Sequence, residues 1–267
     1  MEIAKRNILI TGAAKGMGRL YAIKALEEGA CVVLWDIDEL ALKETTSELK
    51  SFGGILKSYV VDISSTTSIN QAAEKVKAEI GSIDILFNNA GCVIGKPFIN
   101  HTDTDIESTI AVNTMAPMYI TKCFINDMIH KGQARIVNIS SAAGLTPNPN
   151  MSVYAASKWA MIGWSESLRL EMESNKFDVK VTTVTSSYVN TGMFDGVKAP
   201  LLCPIINPEK LVNMVWHGMK QGKVYVRAPW IVSFLPFLRG VMPARIFDLI
   251  CGKLFRIYTS MDTFKGR

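Results

Sequence analysis

In the stretch VYAASKWAM, residues 153–161, a tyrosine and a lysine stand four positions apart among small and apolar residues. Residues with that separation share one face of a helix, so Tyr154 and Lys158 can point into a single cleft. A free phenol, with a pKa of about 10, is a poor acid or base near neutrality. Lowering that value by about 3 units takes roughly 4 kcal/mol, which one ammonium at about 4 Å supplies at an effective dielectric of about 20. The expectation is that Lys158 depresses the pKa of Tyr154. The phenol could then take a proton from an alcohol or return one to a carbonyl oxygen.

A second stretch with chemical content, TGAAKGMG at residues 11–18, puts glycines at 12, 16 and 18 directly after an apolar run. The spacing is GxxxGxG rather than GxGxxG, but it occupies the same strand-to-helix turn. Gly12 permits the tight turn, Gly16 lets backbone approach a pyrophosphate, and Gly18 lets the helix pack on a sheet. Exposed amides and the helix dipole then favour the anion. Lys15 and Met17 belong to the same turn and join the expected cofactor contacts. By themselves these glycines would also suit an ordinary Gly-rich turn. Asp36 shifts the balance, because it ends the next apolar run eighteen residues beyond Gly18, where a carboxylate accepts hydrogen bonds from an adenosine ribose. A 2′-phosphate there would meet a like charge. Lys15 pulls the other way, as a cation that could pair with such a phosphate. With Asp36 directly against the ribose, NAD is preferred over NADP. A nicotinamide beside Tyr154 would carry the hydride, and its positive charge would lower the phenol pKa further.

The elements that must position these residues can be read from periodicity. Continuous apolar runs at 7–11, 31–36, 58–63, 84–89, 135–140, 180–185 and 223–227 have the look of strands buried on both faces. Helical patterns at 17–28, 38–52 and 66–80 alternate with them, each stopping at a glycine. That alternation predicts an α/β fold, a single-domain doubly wound parallel sheet of about seven strands with helices on both faces. Residues 186–208, rich in Ser, Gly and Pro, read as a substrate loop, and residues 229–267 as an apolar and basic extension.

Composition sets outer bounds. The chain has 267 residues, 48% of them hydrophobic, and a net charge of +5. That is enough core for one domain, and too little clustered charge for nucleic-acid binding. Five scattered cysteines, in no metal or redox spacing, imply reduced thiols and a cytoplasmic setting. His101, His130 and His217 match no zinc pattern. No signal peptide or membrane anchor is expected from the opening residues.

Beyond these readings, the chain resembles the short-chain dehydrogenase/reductase family over nearly its full length. The resemblance rests on TGAAKGMG, Asp62 in VVDIS, NNAG at 88–91, Asn113 in VNTMAP, Ser141 in NISSAAG, and YAASK, all in the family's order. The interval of 13 from Ser141 to Tyr154 is the family's usual one, so Ser141 rather than Ser140 is the expected catalytic serine. The resemblance implies that Asn113, Ser141, Tyr154 and Lys158 form the catalytic set of a nicotinamide-dependent alcohol dehydrogenase or carbonyl reductase. Ser141 would hold the substrate oxygen, Lys158 the nicotinamide ribose, and Asn113 a water in a proton relay. Asp62 and Ile63 would border the adenine, and Asn89, Ala90 and Gly91 would support the cofactor and central sheet.

One departure stands out: family members usually carry Pro-Gly after the sixth strand, where this chain has Ser186 and Ser187. Val189 and Thr191 remain in register to meet the nicotinamide carboxamide. Flanking sequence is similar to the retinol and hydroxysteroid dehydrogenase branch, which implies a lipophilic alcohol or ketone. Val189, Met193, Phe194, Val197, Leu201 and Leu202 offer an apolar wall for it. The alternatives are an NADPH-dependent reductase of 3-oxoacyl thioesters or small ketones, and a non-catalytic cofactor sensor on the same fold. A homodimer or homotetramer through the helices of 103–131 and 152–174 is the family expectation. For the extension, packing across a dimer or capping the active site ranks above peripheral membrane contact, and its prolines and charges argue against a membrane span.

Overall fold

The apolar runs become strands because each can bury both of its faces. In the computed structural model, which describes residues 1–266, these are β1 (Asn7–Thr11), β2 (Cys31–Asp36), β3 (Leu56–Val60), β4 (Ile85–Asn88), β5 (Ala134–Ile139), β6 (Val179–Ser186) and β7 (Tyr225–Ala228). All neighbours pair in parallel, in the order β3-β2-β1-β4-β5-β6-β7. The winding reverses between β1 and β4, and the crevice beyond their carboxyl ends is where such sheets bind ligands. The expected α/β doubly wound sheet is therefore the one observed.

Alternate residues of one strand feed two cores. Ile8 and Ile10 of β1 join Leu34, Phe87 and Val137 on one face. Leu9 joins Val33, Trp35, Leu86 and Ile136 on the other. Helices α1 (Gly16–Glu27), α2 (Glu39–Leu49) and α7 (Pro208–Gln221) cover the first face, with Tyr21 and Trp216 stacked on either side of Phe87 at 4.6 and 5.8 Å. Helices α3 (Thr66–Glu79), α5 (Ala116–Lys131) and α6 (Ser152–Ser174) cover the second. The helix α4 (Asp103–Ile110) continues into α5 through a π-helical turn, Ala111–Met115, which carries Asn113.

β3 runs from residue 56 to 60 rather than over the expected 58–63. It pairs with β2 in a register that ends at Asp36 opposite Val60, and after a last bond from the Val61 N–H to the Asp36 carbonyl the chain enters the crevice region with Asp62. Two further apolar clusters lie away from the sheet. They involve the segment 186–208 and the tail, which folds into α8 (Leu235–Val241), α9 (Ala244–Asp248) and short 3-10 and π turns.

Candidate active site

A cleft of about 450 Å3 lies over the carboxyl ends of β1, β2, β4 and β5. It gathers Gly12, Lys15, Gly16, Met17, Asp36, Asp62, Ile63, Asn89, Ala90, Gly91, Val189 and Thr191 with Ser141, Tyr154 and Lys158. Of the expected site residues, only Gly18 and Asn113 stand behind its wall. Gly18 has no room for a side chain, since a Cβ there would sit 2.0 Å from the Gly12 carbonyl oxygen. Asn89 braces that turn, donating from Nδ2 to the carbonyls of Thr11 (2.9 Å) and Gly12 (3.2 Å).

The first turn of α1 has no side-chain cap and no acidic residue. Its free amides and positive dipole end therefore face the cleft as an anion site. Asp36 is held by the backbone N–H groups of Ala14 (2.8 Å) and Asp38 (3.0 Å). Lys15 is engaged elsewhere, with Nζ 2.6 Å from the carboxylate of Asp38, which also caps α2. An extended dinucleotide fits these residues: a glycine cradle for the pyrophosphate, a carboxylate for the ribose, and an open floor of backbone at Gly91.

Tyr154 and Lys158 do share one face of α6, and both are buried. The electrostatics differ from the expectation. Lys158 Nζ lies 5.6 Å from the centre of the Tyr154 ring and donates to the carbonyl of Ile139 at 3.0 Å. Burial pushes the phenol pKa up, a hydrogen bond with Ser141 works against that, and Tyr188 and Cys92 add to the rise. Burial also pushes the Lys158 ammonium down, to about 8, with Cys92 opposing. Desolvation thus outweighs the pairing of the two side chains, and the chain's own charges leave the phenol protonated at neutrality.

Ser141, not Ser140, carries the exposed hydroxyl chemistry. Ser140 Oγ donates into α6, to the carbonyl of Lys158 at 2.9 Å. Ser141 Oγ accepts from the Ala143 N–H at 3.1 Å, reaches the Ser186 carbonyl only at 3.5 Å, and is hydrogen-bonded with the Tyr154 phenol. Asn113 clamps the crevice floor: Oδ1 accepts from the Cys92 N–H at 2.9 Å, and Nδ2 donates to the Cys92 carbonyl (2.9 Å) and Ser157 Oγ (3.1 Å). Both amide hydrogens are spent on positioning residues 91–92 against α6.

Beside Ser141 opens a second, enclosed and mainly apolar pocket. Ser141, Ser187 and Phe194 line it together with the cleft. Its walls come from Ala142, Ala143 and Met151, from Leu201 of the loop, and from Val232, Leu235 and Phe255 of the tail. The tail therefore caps the active site. Loop and tail are stitched by backbone hydrogen bonds, Lys198 to Ser260, Leu201 to Phe255, and Lys265 to Asp195. Of the apolar wall expected from the loop, Val189, Met193 and Phe194 line the cleft, and Phe194 and Leu201 the inner pocket. Val197 packs in the Tyr154 cluster and Leu202 is half exposed. Ser186 and Ser187, in place of Pro-Gly, both face the cleft.

The short chain dehydrogenase family matches residues 6–201, which contain the whole glycine turn with Asn113, Ser141, Tyr154 and Lys158. This chain belongs to that family. Epidermal retinol dehydrogenase 2 of Mus musculus is 36% identical over 270 residues, covering 100% of this chain and 87% of its own length. Estradiol 17-beta-dehydrogenase 11 of Pongo abelii is 36% identical over 92% of this chain and 82% of its own. In fold, a short chain dehydrogenase from Burkholderia phymatum solved with NAD superposes at a TM-score of 0.83, with 24% identity, 90% of this chain and 95% of that one covered. As a short-chain dehydrogenase, the chain is a nicotinamide-dependent oxidoreductase acting on an alcohol/carbonyl pair.

What the sequence reading missed is the ordinary-looking part of this short-chain dehydrogenase site. Trp35, Val61, Cys92 and Val112 line the cleft, yet none carries a signal apart from core hydrophobicity. Their position follows only from strand ends: Trp35 precedes Asp36, and Cys92 follows the NNAG stretch.

Proposed function

We propose that this short-chain dehydrogenase uses NAD to interconvert a lipophilic alcohol and its carbonyl, the kind of substrate that the retinol and estradiol dehydrogenases similar to it are named for. The observation that carries this is the enclosed apolar pocket, which meets the cleft at Ser141 and Phe194, beside Tyr154. Such a pocket rewards apolar bulk and leaves orientation to a few polar groups.

When bound, the dinucleotide supplies a nicotinamide ring that accepts or donates hydride. The chain's residues do the rest. Ser141 offers its hydroxyl to the substrate oxygen and stabilises charge developing there. Tyr154 moves the proton between its phenol oxygen and that same oxygen. Burial keeps the phenol protonated, which suits it to protonate a forming alkoxide. Lys158 holds its ammonium 5.6 Å from the centre of the Tyr154 ring and fixes α6 to β5 through Ile139. The wall of loop and tail excludes water.

NAD is favoured over NADP on two counts. Asp36 presents a carboxylate already oriented by two backbone amides, and Lys15 is neutralised by Asp38. Solved structures of similar fold carry NADPH or NADP as well as NAD, so the choice lies in these side chains. Initial rates with NAD and NADP across retinoid, steroid and long-chain alcohols test the reading. NAD should exceed NADP in kcat/KM by about tenfold or more. Tyr154→Phe should lower kcat by roughly a thousandfold with nucleotide binding retained. Tight nucleotide binding with no turnover of any such alcohol would instead favour the sensor reading.

The outer face of the tail supports peripheral contact with an anionic lipid surface. Phe234, Phe237 and Val241 follow helical spacing and are exposed, as are Trp230, Leu249 and Leu254. Arg245, Lys253 and Arg256 are exposed among them. Among the described residues no helix is long and apolar enough to cross a membrane. An amphipathic surface of this composition lies on a bilayer rather than through it, and cosedimentation with vesicles checks it.

A further inference from the structure

Asn148 stands out in the inner pocket as a buried amide among apolar walls. Its Nδ2 donates to Tyr188 Oη at 3.0 Å and to Ser260 Oγ at 3.2 Å, while those two oxygens are 2.7 Å apart. Ser260 Oγ gives its own proton to the carbonyl of Ile257 at 2.6 Å. The short contact between Tyr188 and Ser260 therefore needs the phenol proton, directed at Ser260 Oγ. Both oxygens are then left as acceptors towards Asn148, and this proton count fixes the amide: nitrogen towards Tyr188 and Ser260, oxygen away from them.

Asn148 Oδ1 is buried and has no hydrogen-bond partner among the described residues. Asn148 lines the enclosed pocket and also borders the open groove between Pro147 and Pro149, and Oδ1 itself is shielded from solvent. A buried acceptor without a donor is costly, and this one belongs to a residue in the wall of the pocket beside Ser141. Ser141 lines both pocket and cleft, whereas Asn148 does not line the cleft.

We infer that Asn148 is a specificity-determining residue whose Oδ1 accepts a hydrogen bond from a second hydroxyl on the substrate, carried away from the reacting carbon. The substrate class is then narrower than lipophilic alcohols: a bifunctional molecule, apolar in its middle, with one oxygen at Ser141 and Tyr154 and a donor at Asn148. This rests on the proposed assignment of the reacting centre, but it is read from binding, so the two can fail separately.

The probes are α,ω-diols from hexane to dodecane, the matching 1-alkanols, and the matching ω-fluoro-1-alkanols, titrated calorimetrically into the NAD-loaded protein. Fluorine is close to the hydroxyl in size and bond polarity but brings no proton. For at least one chain length the diol should bind about tenfold tighter than its fluoro analogue. In Asn148→Leu that preference should vanish while the 1-alkanol binds as before. Equal affinity of diol and fluoro alcohol in the unaltered protein at every length overturns the inference, whether or not the leucine variant folds. Failure of all these alcohols to reduce NAD would overturn the proposed reaction and leave the binding comparison standing.

Discussion

The glycine turn and the lid over the inner pocket border the same reaction centre but are held by different means. The turn lies within residues 11–18, and its shape follows from missing side chains: at Gly12 a Cβ would sit 2.8 Å from the backbone of Ala90, and Gly12 itself has a φ of 64°. The lid brings together residues 142–148, 186–208 and 229–266, far apart in the chain, and it is held by backbone hydrogen bonds between loop and tail. The turn is a local solution with no room for a side chain at Gly12 or Gly18. In the lid, the apolar side chains facing the pocket are free of the bonds that hold it, which are backbone bonds and the side-chain cluster of Asn148, Tyr188 and Ser260. Nucleotide recognition can thus stay fixed while substrate recognition varies.

Two glycine substitutions put that contrast at risk. Gly18→Ala would place a Cβ 2.0 Å from the Gly12 carbonyl oxygen and 2.8 Å from Asn89 Nδ2. The expected result is a loss of roughly 3 kcal/mol or more of stability, together with nucleotide binding. Gly196→Ala would place a Cβ 2.3 Å from the Thr263 carbonyl oxygen at a φ of 83°, which loosens the join of loop and tail. There KM for a lipophilic alcohol should rise several-fold with NAD affinity nearly unchanged. Calorimetric NAD titration and initial rates on both variants decide it; equal damage to NAD affinity would mean the two regions are not separable.

The same contrast explains how much could be read in advance. β2 at 31–36 stands where periodicity put it, and α1 and α3 lie within a residue of the expected 17–28 and 66–80, because parallel strands and amphipathic helices write their burial into local pattern. Asp36 and the three glycines were legible for a similar reason, since a strand-to-helix turn leaves few residue types usable. Lys158 illustrates the limit. Its place on the helix was readable, but its bond to Ile139 on β5 was not, and that partner decides where the ammonium points. The tail was legible only as composition. Its capping role depends on contacts with 142–148 and 194–203, segments whose sequence gives no sign of a partner.

Lys158 also gives a pH-dependent way to weigh burial against pairing. Its pKa falls from the usual 10.5 to about 8 in the folded chain. Below about pH 8 the ammonium is charged in both folded and unfolded states, and burying it works against folding. Between about pH 8 and pH 10.5 the folded state has released the proton and the unfolded chain still holds it, so stability rises with pH across that window. Lys158→Met, though inactive, should be more stable than the natural protein at pH 7 by up to about 3 kcal/mol. That advantage should shrink as the pH approaches about 10. Denaturant titrations at the two ends of the window check this, and a difference independent of pH would show that the ammonium is compensated as well as a neutral group.

The smallest effect concerns the outer side of the lid, where the contrast predicts freedom of another kind. Leu235 faces the inner pocket, while Phe234 and Phe237 turn outwards on the same short stretch. Outer residues can then change without cost to the pocket. Phe237→Ser should leave turnover of a water-soluble alcohol unchanged and reduce cosedimentation with phosphatidylserine vesicles several-fold. Added salt should weaken the binding of the unaltered protein, because Arg245, Lys253 and Arg256 contribute through a screened field. Full recovery of the protein in the supernatant at low salt would remove the lipid surface from the account. The aromatic face would then be exposed for some other reason, and the capping role of its inner side would be untouched.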